Sequence, residues 1–102
     1  MCYNINMEEQ RMIEINNNRY KLIEEYKNAF DEAMVKEKMT DYFDDFDYII
    51  GDWAYGKLRL KGFCNKDNNR YRPINDYLWK DSYLKDYCAP EAPYFILQKM
   101  VK

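Results

Sequence analysis

Apolar and polar positions repeat with two different periods along this chain, and the changes of period mark its elements. Met12–Ile15 and Tyr20–Glu25 flank Asn16-Asn17-Asn18. Asn tolerates positive φ and forms Asx turns, so this stretch predicts a β-hairpin. Ile13 and Ile15 then share one face of its first strand, and Tyr20 and Leu22 one face of the second. Over Ala29–Phe46 the spacing becomes helical. Phe30, Ala33 and Met34 form an apolar stripe, Asn28 stands where a helix cap belongs, and Asp31 and Glu32 suit the first turn. Thr40 offers a second cap, ahead of Tyr42, Phe43 and Phe46, so the region reads as one interrupted helix or two pieces.

Asp47–Phe63 carries the clearest pattern. Tyr48-Ile49-Ile50 is aromatic and β-branched, hence strand. Leu58 and Leu60 alternate with Lys57, Arg59 and Lys61, which predicts a half-buried strand with one wet face. Between them, a type I turn at Ala54-Tyr55 followed by Gly56 in the left-handed region closes a hairpin with a bulge. Gly51 and Gly62 inside the strands leave room for a ring or a backbone to approach.

Cys64–Pro73 is a polar loop. Ile74–Tyr87 reads as a helix with Asn75 as its cap, and the prolines at 90 and 93 end it. Tyr94–Val101 is a last strand with Phe95 and Leu97 on one face. The expected order is ββαββαβ: an α+β fold with a largely antiparallel sheet and helices packed on it. It occupies residues 11–102 as one domain, behind a loose polar tail, Met1–Gln10. A chain of 102 residues suits one core.

Composition narrows the chemistry. The chain has no His, which closes Ser-His-Asp and Cys-His catalysis. Cys2, Cys64 and Cys88 form no CxxC pair, so neither a zinc site nor a disulfide framework is indicated. No metal, cofactor or catalytic residue is assigned. No apolar run reaches the roughly 20 residues that span a bilayer, and Met1–Gln10 has no signal-peptide pattern. The expectation is a cytoplasmic protein with reduced thiols and no membrane partner. The net charge of −2 argues against binding DNA mainly through phosphate neutralisation. Aromatics make up 18% of the chain, with 11 Tyr, and such a surplus suits a contact patch.

The string Asp47-Tyr48-Ile49-Ile50-Gly51-Asp52-Trp53-Ala54-Tyr55-Gly56-Lys57-Leu58-Arg59-Leu60-Lys61-Gly62-Phe63 resembles the signature of the YutD-like family of small bacterial proteins. The likeness runs from about Ile13 to Met100 and includes Tyr87-Cys88 and Tyr94-Phe95-Ile96-Leu97. It implies an α+β fold, a cytoplasmic setting and no established activity. Two positions depart from the family pattern. Ala54 stands where Gly is common, and Ala89–Pro93 lacks the second Cys often found there, so no thiol pair at Cys88 is inferred.

Lys57, Arg59 and Lys61 fall on one strand face, about 7 Å apart in sequence order. With Arg70, Arg72 and Tyr55 they suit a phosphate chain and a stacked base, or form an ordinary solvated face. Asp41, Asp44, Asp45, Asp47 and Asp52 match no metal loop and read as surface charge, except Asp52, placed to brace the turn by accepting backbone N–H bonds. Trp53 and Phe63 read as core, and Cys64 and Cys88 as small hydrophobes. The leading expectation is a non-enzymatic binding module that uses Asp52, Tyr55, Lys57, Arg59 and Lys61 toward a protein or structured RNA. The alternatives are a small enzyme or anion-binding protein built on Asp52 and Arg59, and a structural homodimer.

Overall fold

The structure, a computed structural model, describes residues 11–86, 88 and 91–100. Five strands form one antiparallel sheet in the order β1-β2-β5-β3-β4. They are β1 (Met12–Ile15), β2 (Asn18–Tyr26), β3 (Tyr48–Ala54), β4 (Lys57–Phe63) and β5 (Tyr94–Lys99). Between them lie helices α1 (Glu32–Lys38) and α2 (Lys80–Asp86), with 3-10 turns at Asp41–Asp45, Pro73–Asn75 and Tyr77–Trp79. The α+β class and the order ββαββαβ are those the pattern predicts. Among the described residues no helix is long and apolar enough to cross a membrane.

Both hairpins close with two-residue turns whose central residues have positive φ: Asn16 at 53° and Asn17 at 68°, Tyr55 at 55° and Gly56 at 77°. This is the geometry of a type I′ turn, whose twist matches that of the flanking strands. The Asn turn is as expected. The second turn is not the expected type I turn with a bulge. β3 keeps its pairing through Ala54↔Lys57, so Ala54 is a strand residue and Tyr55 takes the left-handed position.

The sheet is covered on both faces. On one, Val35 of α1, Met39 just after it and Phe46 pack over Ile13, Ile15, Tyr20, Ile49, Leu58, Phe95 and Leu97. On the other, Tyr77, Trp79, Tyr83 and Leu84 pack over Ile50, Phe63 and Ile96. The wet face expected for β4 is therefore dry at one end, where Phe63 is fully buried against the rings of Tyr77, Trp79 and Tyr83. Trp53 packs against the first cluster and donates its indole N–H to the Ala29 carbonyl at 2.8 Å.

Three local expectations are corrected. The α1 cap is Asp31, whose Oδ1 accepts from Met34 N at 3.2 Å, while Asn28 sits in a turn at φ 53°. Thr40 holds the cap position of the second piece without a side-chain cap bond. The helix expected from Ile74 begins only at Lys80. Its first turns are diverted because Asn75 O accepts from Cys64 N at 2.8 Å and Tyr77 N donates to Cys64 O at 3.0 Å. Backbone groups tied to β4's end in this way cannot continue a helix. Asn75 instead accepts from Arg72 N at 2.8 Å. Val101 and Met1–Gln10 lie outside the described residues.

Gly51 and Gly62 make the close approaches that the sequence suggests. A Cβ on Gly51 would overlap the Phe95 ring, and one on Gly62 the Phe46 ring. Phe95 is fully buried in the middle of the sheet and has nowhere to retreat. Gly51→Ala is therefore expected to destabilise the fold by about 2–3 kcal/mol through overpacking. Urea denaturation checks this, and a variant with unchanged midpoint would contradict the packing described.

Candidate functional site

The last strand inserts between β2 and β3, which leaves β4 at the sheet edge. Trp53 N donates to Pro93 O, and Lys99 N donates to Asp47 O, so the odd-numbered residues of β3 turn their backbone toward β5. The even-numbered ones then turn to β4, where Asp52 pairs with Arg59 and Ile50 with Lys61. It follows that Leu58, Leu60 and Gly62 direct their N–H and C=O groups outward. Cys64, of the same parity, does so too, and its outward groups are taken by Asn75 and Tyr77. Among the described residues nothing takes those of Leu58, Leu60 and Gly62.

A groove of about 690 Å³ runs along this open stretch. Tyr42, Phe43 and Phe46 line it on one side, Arg59, Lys61 and Tyr83 on the other, and the segment 69–72 with Ile74 and Asn75 at its end. The Arg70 guanidinium meets Asp45 at 3.0 Å. Asn68 donates to Asp45 O at 2.8 Å and to Asp47 Oδ2 at 3.0 Å, and so fastens the loop to the start of β3. Asp44 accepts from Asn18 Nδ2 at 2.9 Å. Asp44, Asp45 and Asp47 thus make local ties between loop and strand, and among the described residues no group of carboxylates and thiols gathers as a metal site.

Asp52 does not brace its own turn. It is fully buried, and its Oδ2 accepts from Arg59 Nη2 at 2.6 Å across the β3–β4 rung. Among the described residues Asp52 Oδ1 has no hydrogen-bond partner of good geometry. The Cys88 thiol lies beside this pair. Burial, and then the Asp52 charge, push its pKa up to about 11, so at neutral pH it is a protonated, weakly reactive thiol. Burial likewise lifts the Tyr83 hydroxyl to about 12. Cys64 is buried, and burial raises its pKa as well. These groups are arranged to stay neutral rather than to exchange protons near pH 7.

The five residues picked out in the sequence are thus divided. Lys57, Arg59 and Lys61 share one face, as the period-two spacing requires, with Lys57 exposed and the Lys61 ammonium over the rings of Phe63 and Tyr83 at 5.3 and 6.0 Å. Asp52 is a buried counter-ion to Arg59. Tyr55 stands apart at the hairpin tip, wholly exposed and away from the groove lining. Sequence reasoning missed Tyr42, Phe43 and Phe46 as one wall, and Cys88 and Tyr83 as neighbours of Asp52. The aromatic spacing of 42, 43 and 46 was visible, but nothing in it told that a sheet edge would pass beside it.

Two outcomes follow from this geometry. Arg59→Ala leaves a buried, uncompensated carboxylate and is expected to cost about 3 kcal/mol, whereas Asp52→Leu with Arg59→Met recovers most of it. Thermal denaturation of both variants checks this, and equal losses would refute it. Tyr55→Asn places a residue that tolerates positive φ before Gly56 and is expected to stabilise the fold by about 1 kcal/mol. A lower melting temperature would show that Tyr55 packs in solution.

Residues 14–98 match the family described as "Putative antitoxin YutD-like". The chain is 36% identical over 91 residues to "Putative antitoxin YutD" of Bacillus subtilis (strain 168), a match covering 89% of this chain and all of that protein. Its fold is similar to the solution NMR structure of B. subtilis protein yutD, with a TM-score of 0.73 and 36% identity over 97% of this chain and 93% of that one. The shared length, sequence and fold lead to one conclusion: the chain belongs to the YutD-like family.

Proposed function

We propose that this chain is a non-enzymatic binding module that holds a protein partner along the open edge of β4. The observation that carries the reading is the outward-turned backbone of Leu60 and Gly62 in the lining of a groove of about 690 Å³. An exposed strand edge is a template for another chain, and some peptide-recognition domains bind their partner by adding a strand to such an edge. The B. subtilis relative carries the name "Putative antitoxin YutD". On this reading the chain restrains a toxin-like protein by binding it. We place this activity in the cytoplasm, where Cys64 and Cys88 remain thiols.

Tyr55 adds support. A left-handed backbone costs a non-glycine residue about 1–2 kcal/mol, and Tyr55 is fully exposed, so folding gives no reason for an aromatic there. An aromatic held out at the end of the edge strand suits a contact with a partner.

Affinity capture from the source cells, read by mass spectrometry with and without RNase, tests the proposal. The tagged chain is compared with a Lys57→Glu, Lys61→Glu, Arg72→Glu variant whose circular dichroism matches the parent. One defined protein should be recovered with the parent regardless of RNase, and at least about tenfold less with the variant. Recovery that RNase abolishes would make RNA the partner, and recovery equal for both chains would remove the β4 edge from the interaction.

A further inference from the structure

We propose that the β4 groove takes an extended peptide segment of alternating acidic and apolar residues, added to the sheet as a sixth strand. This rests on the reading of the edge as a binding surface and specifies the chemistry of what binds. The first support is that the edge already pairs. At Cys64 a parallel bridge to Asp76 uses the same outward parity that Leu58, Leu60 and Gly62 leave unused. The fold thus carries one short piece of added strand at one end of β4, with the outward-turned groups of Gly62 and Leu60 in the groove lining beyond it. Main-chain pairing of this kind supplies affinity without regard to sequence.

The second support is the difference between the two sides. Side chains of an added strand alternate, one set toward each face of the sheet. On the face of Leu58 and Leu60 they meet Tyr42, Phe43 and Phe46, an apolar wall. On the other face they meet the row Lys57, Arg59 and Lys61, directly opposite across one strand spacing. Apolar residues suit the first set and carboxylates the second.

The third support is charge. Among the described residues Lys57, Lys61 and Arg72 hold no carboxylate, although the chain as a whole is acidic at −2. Uncompensated cations are gathered where one side of the added strand would lie. A basic segment would meet like charge there and be rejected.

Titration of the isotope-labelled full chain with short synthetic peptides, followed by NMR, tests this. Three peptides are compared: alternating valine and glutamate, alternating valine and lysine, and valine and glutamate in separate blocks. The first is expected to shift the Leu60 and Gly62 amides, slow their hydrogen exchange, and bind at least about tenfold more tightly than the others. N-methylation on its pairing edge should abolish the effect, and added salt should weaken it. Equal binding of all three peptides, or shifts elsewhere on the surface, would overturn the proposal. If the alternating peptide leaves β4 unmoved while the charge-reversed variant still loses its cellular partner, the acidic-strand chemistry falls and the binding surface stands. If the variant keeps that partner as well, both fall.

Discussion

The fold depends on where its last strand goes. β5 enters between β2 and β3, so the last strand of the described chain lies in the middle of the sheet and joins the N-terminal hairpin to the central one. Phe95, Ile96 and Leu97 are all fully buried, and each is worth about 1.5–3 kcal/mol in apolar burial. Phe95 fits only because Gly51 lies opposite it in the register, and its ring meets Phe30 edge-on with centroids 5.2 Å apart. Without β5 the N-terminal hairpin and the central hairpin share no strand pairing. A small domain has few such contacts to lose. The same insertion fixes the outer strands: β1 ends one side of the sheet and β4 the other. The site is therefore a by-product of closure. Once β5 takes the inner edge of β3, β4 has no neighbour left, and its outward backbone must find water or a partner.

Much of the fold was legible because local signals and burial agreed. Asn16 and Asn17 tolerate positive φ, and the flanking Ile13, Ile15, Tyr20 and Leu22 alternate, so turn and register were both specified. The two glycines of the central hairpin marked the places where rings intrude. The misreadings share a cause, which is competition for backbone groups by partners distant in sequence. Asn75 looks like a cap and Ile74–Tyr87 like a helix, but the carbonyl of Asn75 is claimed by Cys64. Asn28 looks like a cap, yet Glu25 Oε2 accepts from Phe30 N at 3.0 Å and holds the chain in a turn, so the helix waits for Asp31. The Tyr55-Gly56 turn was misread because tyrosine is a poor left-handed residue, and propensity alone argued for placing it elsewhere.

The site was half legible. Period two was enough to align Lys57, Arg59 and Lys61, and it did so. It was not enough to show that Arg59 spends its charge on Asp52, since that needs the register Asp52↔Arg59, which the turn type sets. A bulged turn would have shifted the strands by one residue and separated the pair. Nor does alternation tell an edge strand from an inner one. Edge or interior is a property of the sheet order, which is decided by residues 94–99, far along the chain.

Lysines on an edge strand also have a plainer use, which is to keep two sheets from pairing edge to edge. That role and recognition make different demands on the surroundings. A guard works best on a bare, evenly charged edge, where any approaching strand meets repulsion. Here the guard is one-sided. The charges stand on one face only, while the opposite face offers Tyr42, Phe43 and Phe46, with Tyr42 largely exposed. Such an edge repels its own copy, because two β4 strands would set lysine against lysine, yet it leaves apolar surface that a strand of the right alternation would cover. Asp52 strengthens the asymmetry. By pairing with Arg59 it offsets charge in the middle of the row and fixes the guanidinium in place between Lys57 and Lys61. Repulsion needs no such placement, and a buried carboxylate is a demanding way to provide it. The proposed recognition of a partner would account for this placement, which exclusion alone does not require.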